Sequence, residues 1–104
     1  MFGILNQIFG GGTDADLKGL LEQGAVLLDV RTPGEFAQGH AKGAKNIPLQ
    51  SLQQQIEKLK KAGKPVVAYC RSGNRSGMAA NLLNQNGIEA YNAGSLGQAQ
   101  RLVG

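Results

Sequence analysis

The sequence predicts an α/β fold built on a mostly parallel central sheet flanked by helices. Three observations carry that reading. Aliphatic runs at Ala25 to Val30 and Val66 to Tyr69 lack polar alternation, as strands buried on both faces require. Stretches with apolar residues at helical spacing separate these runs, so each strand reaches the next through a crossover connection. The length, 104 residues, suits one domain with one hydrophobic core.

The N-terminal segment stands apart from this pattern. Phe2, Ile4, Leu5, Ile8 and Phe9 fall near helical spacing without a charge among them, and Gly10-Gly11-Gly12 separates them from the rest of the chain. Residues 1–12 therefore read as an apolar segment with a glycine linker, and residues 13–104 as the domain. A short helix packed on the core is expected; a dimer contact or a foot on a membrane surface is the alternative. The segment has neither the basic start nor the small-residue cleavage site of a secretory signal, so a cytoplasmic location is expected.

Within the domain, Thr13 with Asp16 predicts a capping box, and Leu17, Leu20 and Leu21 give the first helix its apolar face up to Gly24. The Ala25 to Val30 strand comes next. Thr32, Pro33 and Glu35 predict a second box with proline at the first helical position. Gly39 to Pro48 is irregular, with Asn46-Ile47-Pro48 extended. Ser51 is expected to cap an amphipathic helix bearing Leu52, Ile56 and Leu59, stopped by Gly63. Pro65 leads into the strand Val66 to Tyr69. A loop from Ser72 to Ser76 precedes a helix carrying Met78, Ala79, Leu82 and Leu83, which ends at Gly87. Ile88 to Tyr91 reads as a third strand, and Ser95 as the cap of a last helix with Leu96, Ala99, Leu102 and Val103.

Composition narrows the chemistry. One cysteine, Cys70, excludes an intramolecular disulfide, a C-x-x-C couple and a multi-thiolate metal site. No cofactor or metal is implied. The net charge of +4 suits small anionic substrates, but the basic residues are too scattered to form a nucleic-acid stripe. No apolar run approaches the roughly 20 residues that a membrane-spanning helix needs. Glycine, at 16 residues, is about twice its usual share of roughly 7%, which signals tight turns and close backbone approaches.

The reactive position is Cys70. It ends an apolar strand and is followed by Arg71-Ser72-Gly73-Asn74-Arg75-Ser76 before a helix. Ligands of open parallel sheets bind beyond the carboxyl ends of the strands, which is where this loop must lie. Gly73 allows a positive φ, so successive N–H groups can turn inward and form an anion nest closed by a helix N-terminus. A thiol at its centre is held as thiolate by those dipoles and by Arg71 and Arg75. A packed structural cysteine fits poorly with such polar and cationic neighbours.

Two motifs, in order, resemble those of the rhodanese superfamily. The first runs through Leu28-Asp29-Val30-Arg31, Glu35-Phe36 and Gly39-His40-Ala41-Lys42-Gly43-Ala44 to Asn46-Ile47-Pro48. The second is the loop from Cys70 to Ser76. The similarity extends from about Thr13 to Gly94. It implies a rhodanese-like three-layer fold and a sulfurtransferase that moves sulfane sulfur from thiosulfate to cyanide or a thiol. It also implies a persulfide on Cys70 cradled by loop N–H groups, with Asp29 and Arg31 beside that loop and His40 mostly architectural.

The chain departs from the family pattern near its C-terminus. Asn92-Ala93-Gly94-Ser95-Leu96 stands where a glycine pair and a tryptophan are common. The family's usual first strand has no clear counterpart before Thr13; either Phe2 to Phe9 substitutes for it or the sheet is one strand short.

Within the loop, Arg71 is expected to point outward toward a thiosulfate dianion. Arg75 is expected to turn back and form a buried pair with Asp29 or Glu35. A monomer or weak dimer is expected. Two alternatives remain: a non-catalytic binding module of the same fold, and a cysteine phosphatase or arsenate reductase. Phosphatase loops place five residues between cysteine and arginine, whereas Cys70 and Arg75 enclose four, a smaller cradle.

Overall fold

Helices and strands alternate along the chain in the expected order. The computed structural model describes residues 13–104, so the helix expected over Phe2 to Phe9 lies outside the described residues. The elements are α1 (Asp14–Glu22), β1 (Val26–Asp29), α2 (Pro33–Gln38), β2 (Lys45–Asn46), a 3-10 helix (Leu49–Gln55), α3 (Ile56–Ala62), β3 (Val66–Cys70), α4 (Asn74–Gln85), β4 (Ala90–Ser95) and α5 (Leu96–Val103). The four strands form one sheet in the order β2-β1-β3-β4, and every pairing is parallel.

Strand periodicity divides the core into two layers around the sheet. Leu28, Val30, Val66, Ala68, Cys70 and Ala90 face one side. There they pack with Leu52 of the 3-10 helix, Ile56 and Leu59 of α3, and Ala79, Ala80 and Leu83 of α4. Leu27, Val67, Tyr69, Tyr91 and Ala93 face the other side, against Leu17 of α1 and Ala99 and Leu102 of α5. This is the three-layer arrangement the resemblance implies. No helix among the described residues is long and apolar enough to cross a membrane.

Four local expectations are corrected. Ser51 caps nothing: the helical path begins at Leu49, after Pro48, as a 3-10 segment that becomes α3 at Ile56. Leu49 N donates to Val30 O, so the chain is tied to the end of β1 and turns helical as soon as it is released. Thr13 makes only half of its box, with Oγ1 accepting from Asp16 N at 3.1 Å. Asp16 is one methylene shorter than the glutamate that completes the motif.

The helix after Cys70 begins at Asn74, so Asn74, Arg75 and Ser76 belong to its first turn. Gly73, at φ +100°, reverses the chain immediately after the strand, and no capping side chain marks that start. Finally, β4 starts at Ala90 and runs to Ser95. Ile88 N is taken by Leu83 O, while the Asn84 side chain binds both N and O of Ala90, which delays the strand. Pairing with β3 then carries Asn92 and Gly94 into the ladder despite their weak strand propensity.

Candidate active site

Alternation along β3 turns the Cys70 side chain toward α4, fully buried at the carboxyl end of the strand. Gly73 folds the backbone back so that the opening of α4 faces the sulfur. Cys70 Sγ accepts from Gly73 N at 3.0 Å, Ser76 N at 3.4 Å and Ser76 Oγ at 3.3 Å. Burial pushes the thiol pKa up. Hydrogen bonds from the Ser76 hydroxyl and from the N–H groups of Ser76, Gly73 and Ser72 together outweigh it and leave the pKa below its ordinary value. The result is a buried sulfur on which helix N–H groups and a hydroxyl converge.

The other expected residues divide into cradle, pocket wall and brace. Gly73 and Ser76 form the cradle; Ser72 adds its N–H and is otherwise exposed, as is Asn74. Arg71 is exposed and lines a pocket of about 330 Å³ together with Arg31, Glu35, Gln38, Gly39 and Leu96. Arg75 turns away to Glu35, with Nη1 and Nη2 donating to the two carboxylate oxygens at 2.8 and 3.1 Å. This pair is not the buried one expected, because its side chains are 35% and 28% exposed. A larger groove of about 430 Å³ between β2 and α3 contains none of the loop residues, and the cysteine chemistry is not there.

Asp29 is buried and directs its carboxylate to Arg31, not to the loop. Arg31 Nη2 donates to Asp29 Oδ2 at 2.6 Å and to Gly39 O at 2.7 Å. The guanidinium also lies 5.6 Å above the Tyr69 ring. The carboxylate hydrogen bond holds the Arg31 pKa above its ordinary value, so this cation on the pocket wall is permanent. Tyr69 itself, pushed up to about 12 by burial, keeps its proton and accepts from Ala41 N through its hydroxyl. His40 stacks on Phe36 with ring centroids 3.7 Å apart, and its Nδ1 donates to Phe36 O, an architectural placement.

Sequence reasoning passed over Asn92 and Asn46. Asn92 Nδ2 donates to Gly73 O at 2.9 Å, while its Oδ1 accepts from Ser76 Oγ at 2.7 Å and Gly94 N at 2.9 Å. Asn46 Nδ2 donates to both Asp29 O and Arg31 O, fixing the end of β1. The available signal was an amide beside a strand signal: Asn46 in the extended segment to Pro48, and Asn92 directly after the run Ile88 to Tyr91.

The domain is a parallel α/β fold that sets its cysteine between a strand end and a helix N-terminus, with backbone N–H groups turned onto the sulfur. The sequence pattern of the family described as rhodanese-like domain matches residues 13–97, and the chain belongs to that family. It is 49% identical over 69 residues to the uncharacterized protein YqhL of Bacillus subtilis (strain 168), covering 65% of this chain and 54% of that protein. The chain thus spans about half the length of that relative. It is 37% identical over 71 residues to the thiosulfate sulfurtransferase PspE of Escherichia coli (strain K12), covering 66% and 68% of the two chains. The structure of the human single-domain sulfurtransferase TSTD1 superposes with a TM-score of 0.70 at 30% identity, over 86% of this chain and 93% of that one. The kinship is therefore with sulfurtransferases.

Proposed function

We propose that the protein is a thiosulfate sulfurtransferase carrying sulfane sulfur on Cys70. The Cys70 thiolate attacks the sulfane sulfur of thiosulfate; an S–S bond forms, the bond to the sulfonate sulfur breaks, and sulfite leaves with the electron pair. A thiolate or cyanide acceptor then attacks the terminal sulfur and releases Cys70 as thiolate. The observation that carries this reading is the sulfur of Cys70, buried yet accepting three hydrogen bonds from Gly73 and Ser76. Arg71 and Arg31 flank the adjoining pocket and favour a small dianion there. Ser72 adds its N–H to the cradle, Arg75 braces the first turn of α4 through Glu35, and Asp29 supports Arg31 from behind.

Because Cys70 is the one cysteine of the chain, discharge runs directly to an external acceptor, without an internal disulfide. Treatment with thiosulfate, followed by desalting, is expected to leave the protein heavier by one sulfur atom in intact-mass analysis. Cyanide should then restore the starting mass and yield thiocyanate. Rapid stoichiometric disulfide dimers with no persulfide would overturn the reading.

A further inference from the structure

The Ser76 hydroxyl carries one proton and faces two acceptors. Its Oγ lies 3.3 Å from Cys70 Sγ and 2.7 Å from Asn92 Oδ1, so it donates to one of them at a time. The Asn92 amide cannot flip to avoid this competition. Gly73 O can only accept and takes Nδ2; Gly94 N can only donate and requires Oδ1. Ser76 is fully buried, so its hydroxyl has no recourse to bulk water. Small neighbours make the arrangement possible: a Cβ at Gly77 would sit 3.3 Å from Asn92 Nδ2, and one at Gly73 would sit 3.4 Å from Gly94 Cα.

We propose that Asn92 is a positioning residue for Cys70, receiving the Ser76 hydroxyl when negative charge leaves Cys70 Sγ. The inference rests on Cys70 being the nucleophile assigned above. With Cys70 as thiolate, the hydroxyl points at the sulfur. Once Sγ shares its electron pair with an incoming sulfur atom, it becomes a poor acceptor, and the hydroxyl rotates to Asn92 Oδ1. The proton stays on Ser76 Oγ throughout; only the direction of donation changes. Without Asn92 the same step would strand a buried hydroxyl, and the lost hydrogen bond would appear in the barrier to attack.

The charged groups around this cluster hold constant over the range where the thiol titrates. Arg75 on α4 is held by Glu35 of α2, Arg31 by Asp29, and Arg71 is in the loop itself. Guanidiniums keep their charge in that range, and the Glu35 pKa is lowered to about 2 by its bond to Arg75. Neither β4 nor the 3-10 helix carries a charged side chain.

The test uses the intact protein and iodoacetamide, whose reaction also draws charge off Sγ but needs no sulfur donor. Asn92→Ala is expected to lower the plateau rate of alkylation above the pH midpoint, and single-turnover persulfide formation, by about five- to tenfold. The midpoint itself should not rise. In a Ser76→Ala background, the same Asn92 substitution should change the plateau by less than about twofold, because the hydroxyl it serves is gone. A raised midpoint with Asn92→Ala, or an equal plateau loss in both backgrounds, would mean that Asn92 only braces the loop and would overturn the proposal. An unchanged plateau in folded Asn92→Ala would do the same. Should that variant fail to fold, Ser76→Ala alone decides: its alkylation midpoint must rise, and an unchanged midpoint refutes the relay. A wild-type protein that alkylates normally but takes no sulfur from thiosulfate would sink the sulfurtransferase reading, while the alkylation series would still decide the role of Asn92.

Discussion

Two kinds of helix start stand side by side in this domain. Those of α2 and α5 are closed by their own side chains: Thr32 with Glu35, and Ser95 with Gln98, each in a reciprocal box. Thr13 closes α1 with a single bond. The start of α4 has no capping side chain, and the N–H groups of Gly73 and Ser76 converge instead on Cys70 Sγ. The starts of α2 and α5 satisfy orphan donors from within their own first turn. The α4 start leaves its donors to a sulfur on the preceding strand. Sulfur thus occupies the place of a capping oxygen, and the hydrogen bonds that stabilise the helix end are those that lower the thiol pKa.

The strongest way to break this contrast is to make the open start an ordinary one. Cys70→Ser places a hydroxyl where the sulfur stood, and a serine oxygen is a good partner for helix N–H groups. Sulfur transfer should vanish, because a serine hydroxyl is not ionised near neutral pH and forms no persulfide, while the melting temperature should stay within a few degrees. Thiocyanate production surviving in the purified variant would place the nucleophile elsewhere.

Gly73→Ala attacks the same start through the backbone. A side chain at φ +100°, with its Cβ 3.4 Å from Gly94 Cα, is expected to cost about 1–3 kcal/mol, read as a lower melting temperature. The alkylation midpoint should also rise toward that of a free thiol. A thiol with a lowered folded pKa contributes stability above its unfolded pKa and loses it as pH falls through the folded value. Wild-type stability should therefore rise with pH through the thiol range, and the Gly73→Ala curve should be flatter.

Thr13→Ala sharpens the comparison from the closed side. Loss of that cap should cost about 1 kcal/mol in a denaturant titration and leave the alkylation profile where it was. A shifted profile would mean that the two kinds of start are not independent.

The smallest stability effects belong to the arginines. The Glu35–Arg75 pair joins the capping box of α2 to the first turn of α4, but its partial exposure limits it to about 0.2–1 kcal/mol. Glu35, lowered from 4.5 to about 2, gives a contribution present above pH 4.5 and lost as pH falls toward 2. Arg75→Ala should flatten that acid limb. Arg71→Ala should raise the KM for thiosulfate without moving the melting temperature; equal, purely kinetic effects from both arginines would contradict their different placements.

Much of this was legible in the chain because the deciding interactions are local. The uninterrupted aliphatic runs of β1 and β3 require burial on both faces, Thr32 with Glu35 completes its box within three residues, and Ser95 caps the last helix as read. The strand–cysteine–glycine order likewise placed the thiol at a sheet end whatever the rest of the chain did. Tertiary structure decided the rest. Arg75 had two acidic candidates, and the fold brought Glu35, 40 residues away, to it, while Asp29 was committed to Arg31. Leu49, tied to Val30, removed Ser51 from its capping role. Asn92 reaches Ser76 across 16 residues of sequence only because β4 pairs with β3, which sets Asn92 beside Ala68 at the strand that carries Cys70. A cap or a strand is chosen by neighbours a few residues apart, whose distance is set by the backbone itself. A partner across the sheet is chosen by register and crossover packing, which no local spacing in the sequence encodes.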